Sequence, residues 1–490
     1  MKMFSTLPRQ RALALVLLVA VLGVAGVMQS TARRWLPGDS HIHSHWSPRY
    51  DRKTSPPTVV LGGDARYPTP VNARMAEKFG LAWMVTTDHG GPDHAKLNLE
   101  QAFPELERSR REVPGVVQFY GMEMNLPGMD HHTLILPRTR EEAQTLFDIE
   151  SRFDANEIWP VDPQRRTSAR RLEALRFIAA LPALPLMFAN HPSRSAEGVG
   201  TYGQDEPWEI RQNNDTAPAV YRGMEGAPGH QAGPLAPDGS PRLDENGMPR
   251  GSRGGYGGVD AGTMGGFDRM TAIVGGLWDA LLGEGRRFWI VATSDSHVHY
   301  TEDRRPGSDF WPGEFHKTYV HARKNHEDIL DGLRAGRVFV VAGDLIASLD
   351  VEAAAGGEHA VVGETLRVTK GADVEITIRL RMPTGPNVRG DRPKVARVDL
   401  IGGNVGAPAS DPQTDRNPTT RVVARFDASQ WTSNGDELVM RTAIRSVESH
   451  IYVRVRGTNT NELEPAMDPK GENPWTDLWF YSNPIFIELR

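Results

Sequence analysis

Apolar runs of strand length that end on a histidine or an acid recur along this chain, and that repetition limits its folds more than any other feature. Residues 81–85 lead into Thr86-Thr87-Asp88-His89, and residues 116–121 into Glu123. Residues 184–189 lead into His191-Pro192, and residues 288–292 into Asp295-Ser296-His297, while His131 and His132 stand just before a further run at 133–136. Unbroken apolar runs suit parallel strands covered on both faces. Stretches with helical periodicity lie between them, among them residues 167–181 and 267–282. Strands alternating with helices, with candidate ligands at strand C-terminal ends, predict an α/β fold in which a parallel barrel carries its site on the C-terminal face.

Asp39-Ser40-His41-Ile42-His43 begins the series. On a strand, residues two apart share a face, so His41 and His43 would grip one ion together. The chain of 490 residues has 16 histidines and no cysteine, so a metal must be held by imidazole and carboxylate. In chain order the candidate ligands are His41, His43, His89, Glu123, His132, His191, Asp295 and His297. That donor mix suits Zn, Mn or Fe rather than Ca or Mg, and it exceeds one tetrahedral site. Cations bridged by a carboxylate acidify a water to hydroxide and clamp the negative charge that develops in an in-line displacement. Arg194, just after His191-Pro192, is a candidate for holding a substrate oxyanion, and His299 for a general acid. Asp39 and Asp88 read as partners that orient ring nitrogens.

Residues 2–11 are basic and residues 12–28 are apolar without a charge, the two regions of a secretory signal within 1–36. Such a segment is either cleaved or kept as a membrane tether with the rest of the chain outside. Both readings put the protein in the periplasm or outside the cell. The net charge is −6, and no Lys/Arg run stands beyond the N-terminal flank, which argues against duplex nucleic acid as a partner. Residues 227–266, thick with Gly and Pro, read as a surface insertion. Beyond about residue 344 the pattern changes to short alternating runs at 374–380, 395–401, 420–426 and 450–455, which predict a β-sandwich over 344–490.

The order His-x-His, Thr-Asp-His, Glu, His, His-Pro, Asp-x-His resembles the PHP (polymerase and histidinol phosphatase) metallohydrolase superfamily over residues 38 to about 343. The Gly336-Arg337 segment and the tail Asp477-Leu478-Trp479-Phe480-Tyr481-Ser482-Asn483-Pro484 resemble its carbaryl-hydrolase-like (CehA/McbA) branch. The resemblance implies a distorted (β/α)7 barrel over 37–343, followed by the β-sandwich. It implies that His41, His43, Glu123 and Asp295 hold one cation, that Glu123, His132 and His191 hold a second, and that His89 and His297 hold a third. His132 is favoured over His131 on the same basis. The Asp or His that often completes the third group is missing from its usual place, leaving His45 or Asp51 to serve. Two to three divalent ions and a metal-bridging hydroxide would then hydrolyse a small-molecule phosphate ester. The carbaryl-hydrolase-like branch implies a carboxyl ester or carbamate instead. A reading of another class is an exported binding module whose metals are structural and turn nothing over.

Overall fold

The computed structural model describes residues 32–197, 200–229, 235–250, 256, 262–302 and 309–490. The export-type segment up to residue 31 and much of the Gly/Pro-rich insertion lie outside the described residues. Among the described residues no helix is long and apolar enough to cross a membrane.

Strand β1 (Arg34–Ile42) is the middle of the N-terminal architecture and carries the first histidine to its C-terminal end. It passes directly over Trp83, and only glycine permits this, since a Cβ on Gly38 would fall 1.9 Å from the indole ring. The indole Nε1 donates to Leu36 O at 3.1 Å, which locks the crossing. β1 runs parallel to β2 (Trp83–Thr86), and β2 runs parallel to β3 (Val117–Asn125).

The direction then changes. β4 (His131–Ile135) follows β3 through residues 126–130, too short a connection for the crossover that a parallel pair needs, so the two pair antiparallel. β4 is also antiparallel to β5 (Leu186–Ala189), after which β5, β6 (Tyr221–Pro228) and β7 (Trp289–Thr293) run parallel to one another. On the other side of β1, β8 (His316–Ala322) and β9 (Val338–Ala342) are antiparallel. β7 meets β1 through one isolated bridge, Ile42 to Ser296.

β9 pairs antiparallel with β10 (Trp479–Ser482), so the same sheet runs on into the C-terminal strands and reaches 15 strands in all. A second, five-stranded antiparallel sheet has Val374–Arg381 at its centre. There Val374, Ile376, Ile378 and Leu380 alternate inward, each worth about 1.5–3 kcal/mol when buried, and they share a core with Val398, Leu400, Val455 and Phe480 of the large sheet. The expected (β/α)7 barrel is therefore corrected, while the C-terminal strands do pack as two sandwich-like sheets. The chain forms a large mixed sheet, richer in strand than in helix, with a smaller sheet packed on its C-terminal part.

The helical expectations hold where capping is strong. Thr167 accepts from Arg170 N at the start of Ser168–Ala179, and Asn325 accepts from Asp328 N at the start of His326–Ala335. The stretch 267–282 instead divides into Arg269–Ala272 and Leu277–Gly283, because Gly275, at φ 75°, and Gly276 interrupt it.

Candidate metal centre

Strand ends deliver donor atoms to one buried point. His41 lies at the end of β1 with His43 just beyond it, Glu123 lies in β3, and Asp295 stands just past β7. His41 Nε2 lies 3.0 Å from His43 Nε2, 3.3 Å from Glu123 Oε1 and 3.3 Å from Asp295 Oδ1. His43 Nε2 lies 3.3 Å from Glu123 Oε2 and 3.2 Å from Asp295 Oδ1. A tetrahedral ion with bonds of about 2.0–2.1 Å spaces its donors by about 3.3–3.4 Å, close to these separations. Glu123 Oε2 and Asp295 Oδ1 are buried, and the groups nearest them are the ring nitrogens of His41, His43 and His89, a mixed imidazole and carboxylate set that suits a shared cation.

Glu123 extends this point into a larger cluster. Its Oε1 is 3.1 Å from His131 Nδ1 and 3.0 Å from His191 Nε2, and it accepts from Asn190 Nδ2 at 2.9 Å. Its Oε2 is 2.8 Å from His89 Nδ1. On the outer side Asp64 Oδ2 lies 3.3 Å from His297 Nε2 and 3.6 Å from His89 Nε2, steadied by a 3.2 Å hydrogen bond from Ser47 Oγ. The groups His41/His43/Asp295, His89/Glu123/His131 and His43/His89/His297 are each close enough to hold a metal ion.

The charges are strongly interdependent. Burial pushes the Glu123 carboxyl up, but the imidazoles of His131, His89 and His41 overcome this and hold it well below the usual carboxylate range. Asp295 is likewise held below that range, against its burial, by His41, His43 and His297. His43 falls to about 4, through burial and then through the like charges of His297 and His89. His297 is lowered by burial, yet Asp64 and Asp295 lift it to about 10.

Seven of the expected ligands meet here: His41, His43, His89, Glu123, His191, Asp295 and His297. His132 does not. Its Nδ1 donates to Asp130 O at 3.0 Å, and its Nε2 lies 3.1 Å from the Tyr221 hydroxyl. Neighbouring residues on a strand face opposite sides, and the register of β4 turns His131 toward Glu123 and His132 away from it. The expectation of His132 is corrected to His131.

Arg194 is bound to Asp130 through Nε at 2.9 Å and through a terminal nitrogen at 2.6 Å, and that nitrogen also lies 3.4 Å from His131 Nδ1. It borders the cluster. His299 does not reach it, since its ring nitrogens engage Glu314 at 2.9 Å and Thr301 at 2.6 Å. His45 turns to Glu105, and Asp51 lies in the short strand Arg49–Asp51, so the acid beside His89 and His297 is Asp64 instead. Asp39 and Asp88 hold backbone rather than ring nitrogens. Asp39 accepts from His41 N and Ser294 N, and Asp88 from Ser44 N and its hydroxyl.

No family profile matches the chain, and no curated protein does. A solved polysaccharide monooxygenase, CBM33, is similar over 26% of this chain and 60% of its own length, at 14% identity and a TM-score of 0.15. A likeness that slight carries no argument.

Sequence reasoning missed two residues of this centre, Asp64 and Glu225, and ranked His131 behind its neighbour. Glu225 lies in β6, fully buried, with Oε1 2.7 Å from His41 Nδ1. The signal for it was a lone carboxylate inside the apolar run around Met224 and Ala227.

Proposed function

We propose that this chain is a metal-dependent hydrolase of ester bonds, with small-molecule phosphate esters as its first substrate class. One observation carries the reading: the buried carboxylate of Glu123 is shared by histidines from several strand ends. The donor set fits two to three divalent ions drawn from Mn, Zn or Fe. Bound there, such cations would supply Lewis-acid charge to activate water and to offset negative charge at the reacting centre.

The chain's own residues do the remaining work. Strand ends fix the donors, and Ser47 and Asn190 hold the carboxylates Asp64 and Glu123 in place. His89 and Asp64 keep 22% and 30% of their side chains exposed, so the cluster opens to solvent on that side. Arg194, steadied by Asp130, sets a guanidinium beside His131, a feature suited to a phosphate oxygen. The export-type N-terminus supports action in the periplasm or outside the cell.

A second reading, a carboxyl ester or carbamate hydrolase, is favoured by a different feature. Tyr67 packs on Trp311 at 4.2 Å, Trp311 stacks on His299 at 5.3 Å, and His299 meets Tyr300 at 4.5 Å, forming an aromatic group around the segment that follows His297 in the chain. An aromatic group of this kind near the mouth would suit an aryl leaving group.

Hydrolysis of a nitrophenyl phosphate, a bis-nitrophenyl phosphate and a naphthyl carbamate after Mn or Zn loading separates the readings. Phosphate turnover that drops at least about 100-fold in His191→Ala, with the fold intact, is expected. Carbamate turnover alone would promote the second reading. Metal binding with no turnover on any ester would replace both with a binding module.

A further inference from the structure

The polar atoms of Glu225 all point at groups that carry ligands, though none of them faces the ion position itself. Oε1 lies 2.7 Å from His41 Nδ1 and accepts from the Thr293 hydroxyl at 2.9 Å, while Oε2 accepts from the backbone N–H of His191 at 2.6 Å. One carboxylate thereby ties together the ends of β1, β5 and β7. Each of the three partners serves as a donor, so both oxygens must accept.

The local sequence explains how the side chain gets there. The pairing of β6 with β7 shifts between Glu225 and Ala227, a bulge that re-aims the strand at this point. Gly226 makes the bulge fit, because a Cβ there would lie 2.8 Å from Ile290 Cβ. A carboxyl group at this depth is costly unless it is hydrogen-bonded, and here its three partners are groups on the ligand-bearing strand ends.

Two consequences follow for the cluster. The His41 ring must keep its proton on Nδ1 to donate to Glu225, which leaves the Nε2 lone pair for the group around Glu123 and Asp295. His191 adopts φ 31°, a backbone conformation that L residues rarely take, and its N–H is held there by Oε2. That hydrogen bond acts beside the one from Arg194 N to His191 O at 3.0 Å, and the backbone they hold places His191 Nε2 3.0 Å from Glu123.

We propose that Glu225 is the positioning residue of the metal centre, setting the tautomer of His41 and the backbone of His191 at once. The inference rests on the reading that the cluster holds divalent cations. The decisive variant is Glu225→Gln, which keeps the shape but has only one acceptor oxygen. Whichever way the amide turns, its NH2 meets either the His41 and Thr293 donors or the His191 N–H.

The test is titration of metal-stripped protein with Co2+, followed by calorimetry and by visible absorption of the bound ion, on wild type, Glu225→Gln and Glu225→Asp. A fall in affinity of about 10–100-fold in Glu225→Gln, with an altered Co2+ spectrum and an unchanged far-UV spectrum, is expected. Glu225→Asp, which keeps two acceptors on a shorter arm, should fall between. Wild-type affinity and spectrum in Glu225→Gln would overturn the inference while leaving the cluster's metal binding intact. Absence of Co2+ binding by wild type would overturn both. If Glu225→Gln fails to fold, nitrogen NMR of wild type loaded with Zn2+ decides: His41 protonated at Nδ1 supports the inference, and His41 deprotonated there overturns it.

Discussion

At the residue scale, adjacent histidines have opposite jobs. His131→Ala removes a donor 3.1 Å from Glu123 and should lower metal affinity by more than the roughly 10–100-fold typical of an outer partner. His132→Ala should leave metal content unchanged and cost about 1–3 kcal/mol in denaturant unfolding, because it abandons Asp130 O and the Tyr221 hydroxyl inside the protein. The opposite pattern would return the ligand role to His132. Most of the cluster was legible in the sequence because His89, Glu123, His191, Asp295 and His297 each lie within or just past an apolar run, while His41 and His43 stand two apart on one strand face. The choice within His131-His132 was not, since it depends on the register of a hairpin. Asp64 was hidden for another reason. It reaches the centre only after the hairpin of Arg49–Asp51 with Thr58–Val60 folds back, so its position in the chain carried no spacing signal.

At the element scale, strands and capped helices were readable from local pattern, but pairing direction was not. Whether β4 runs with or against β3 is decided by the length of residues 126–130, a cue weaker in the sequence than the repeated strand–helix alternation. One packing contact near the centre also carries a pH dependence. His94 in the short helix His94–Leu97 pairs with Glu150 of the helix Glu142–Phe153 at 2.5 Å. Burial lowers His94, but the Glu150 carboxylate outweighs it and raises the imidazole to about 9. Asp154, whose Oδ2 accepts from Asn125 N at the end of β3, is raised to about 6 by burial and by Glu150. Both groups bind protons more tightly folded than unfolded, so stability falls as pH rises. The Asp154 contribution is lost between its ordinary 3.8 and about 6, and that of His94 between its ordinary 6.5 and about 9. Amide exchange in Glu142–Phe153, corrected for intrinsic rate, should therefore show less protection at pH 9 than at pH 6.5, with a flatter profile in His94→Gln. Equal or greater protection at pH 9 would contradict this.

At the scale of the whole molecule, the boundary expected near residue 344 crosses a continuous sheet. β10 pairs with β9, Asn483 Oδ1 accepts from Ile290 N at 2.9 Å, and Arg454 makes a buried bidentate pair with Asp279 at 2.9 and 2.7 Å. A chain cut after residue 343 would expose the β9 edge and leave Asp279 buried without its cation, so it should be insoluble or molten by near-UV dichroism. A cooperative, soluble 32–343 fragment would show that the two parts are independent. The change in alternation after residue 344 was a correct reading of strand type, yet it carried no information on which sheet those strands join. The most direct measurement of the central claim is metal content per chain by plasma mass spectrometry, after Mn or Zn loading and desalting, on wild type beside Glu123→Gln. Two to three ions per wild-type chain, with at least one lost in Glu123→Gln, are expected because Glu123 joins the groups of the cluster. Fewer than one ion per wild-type chain would contradict the metal centre itself.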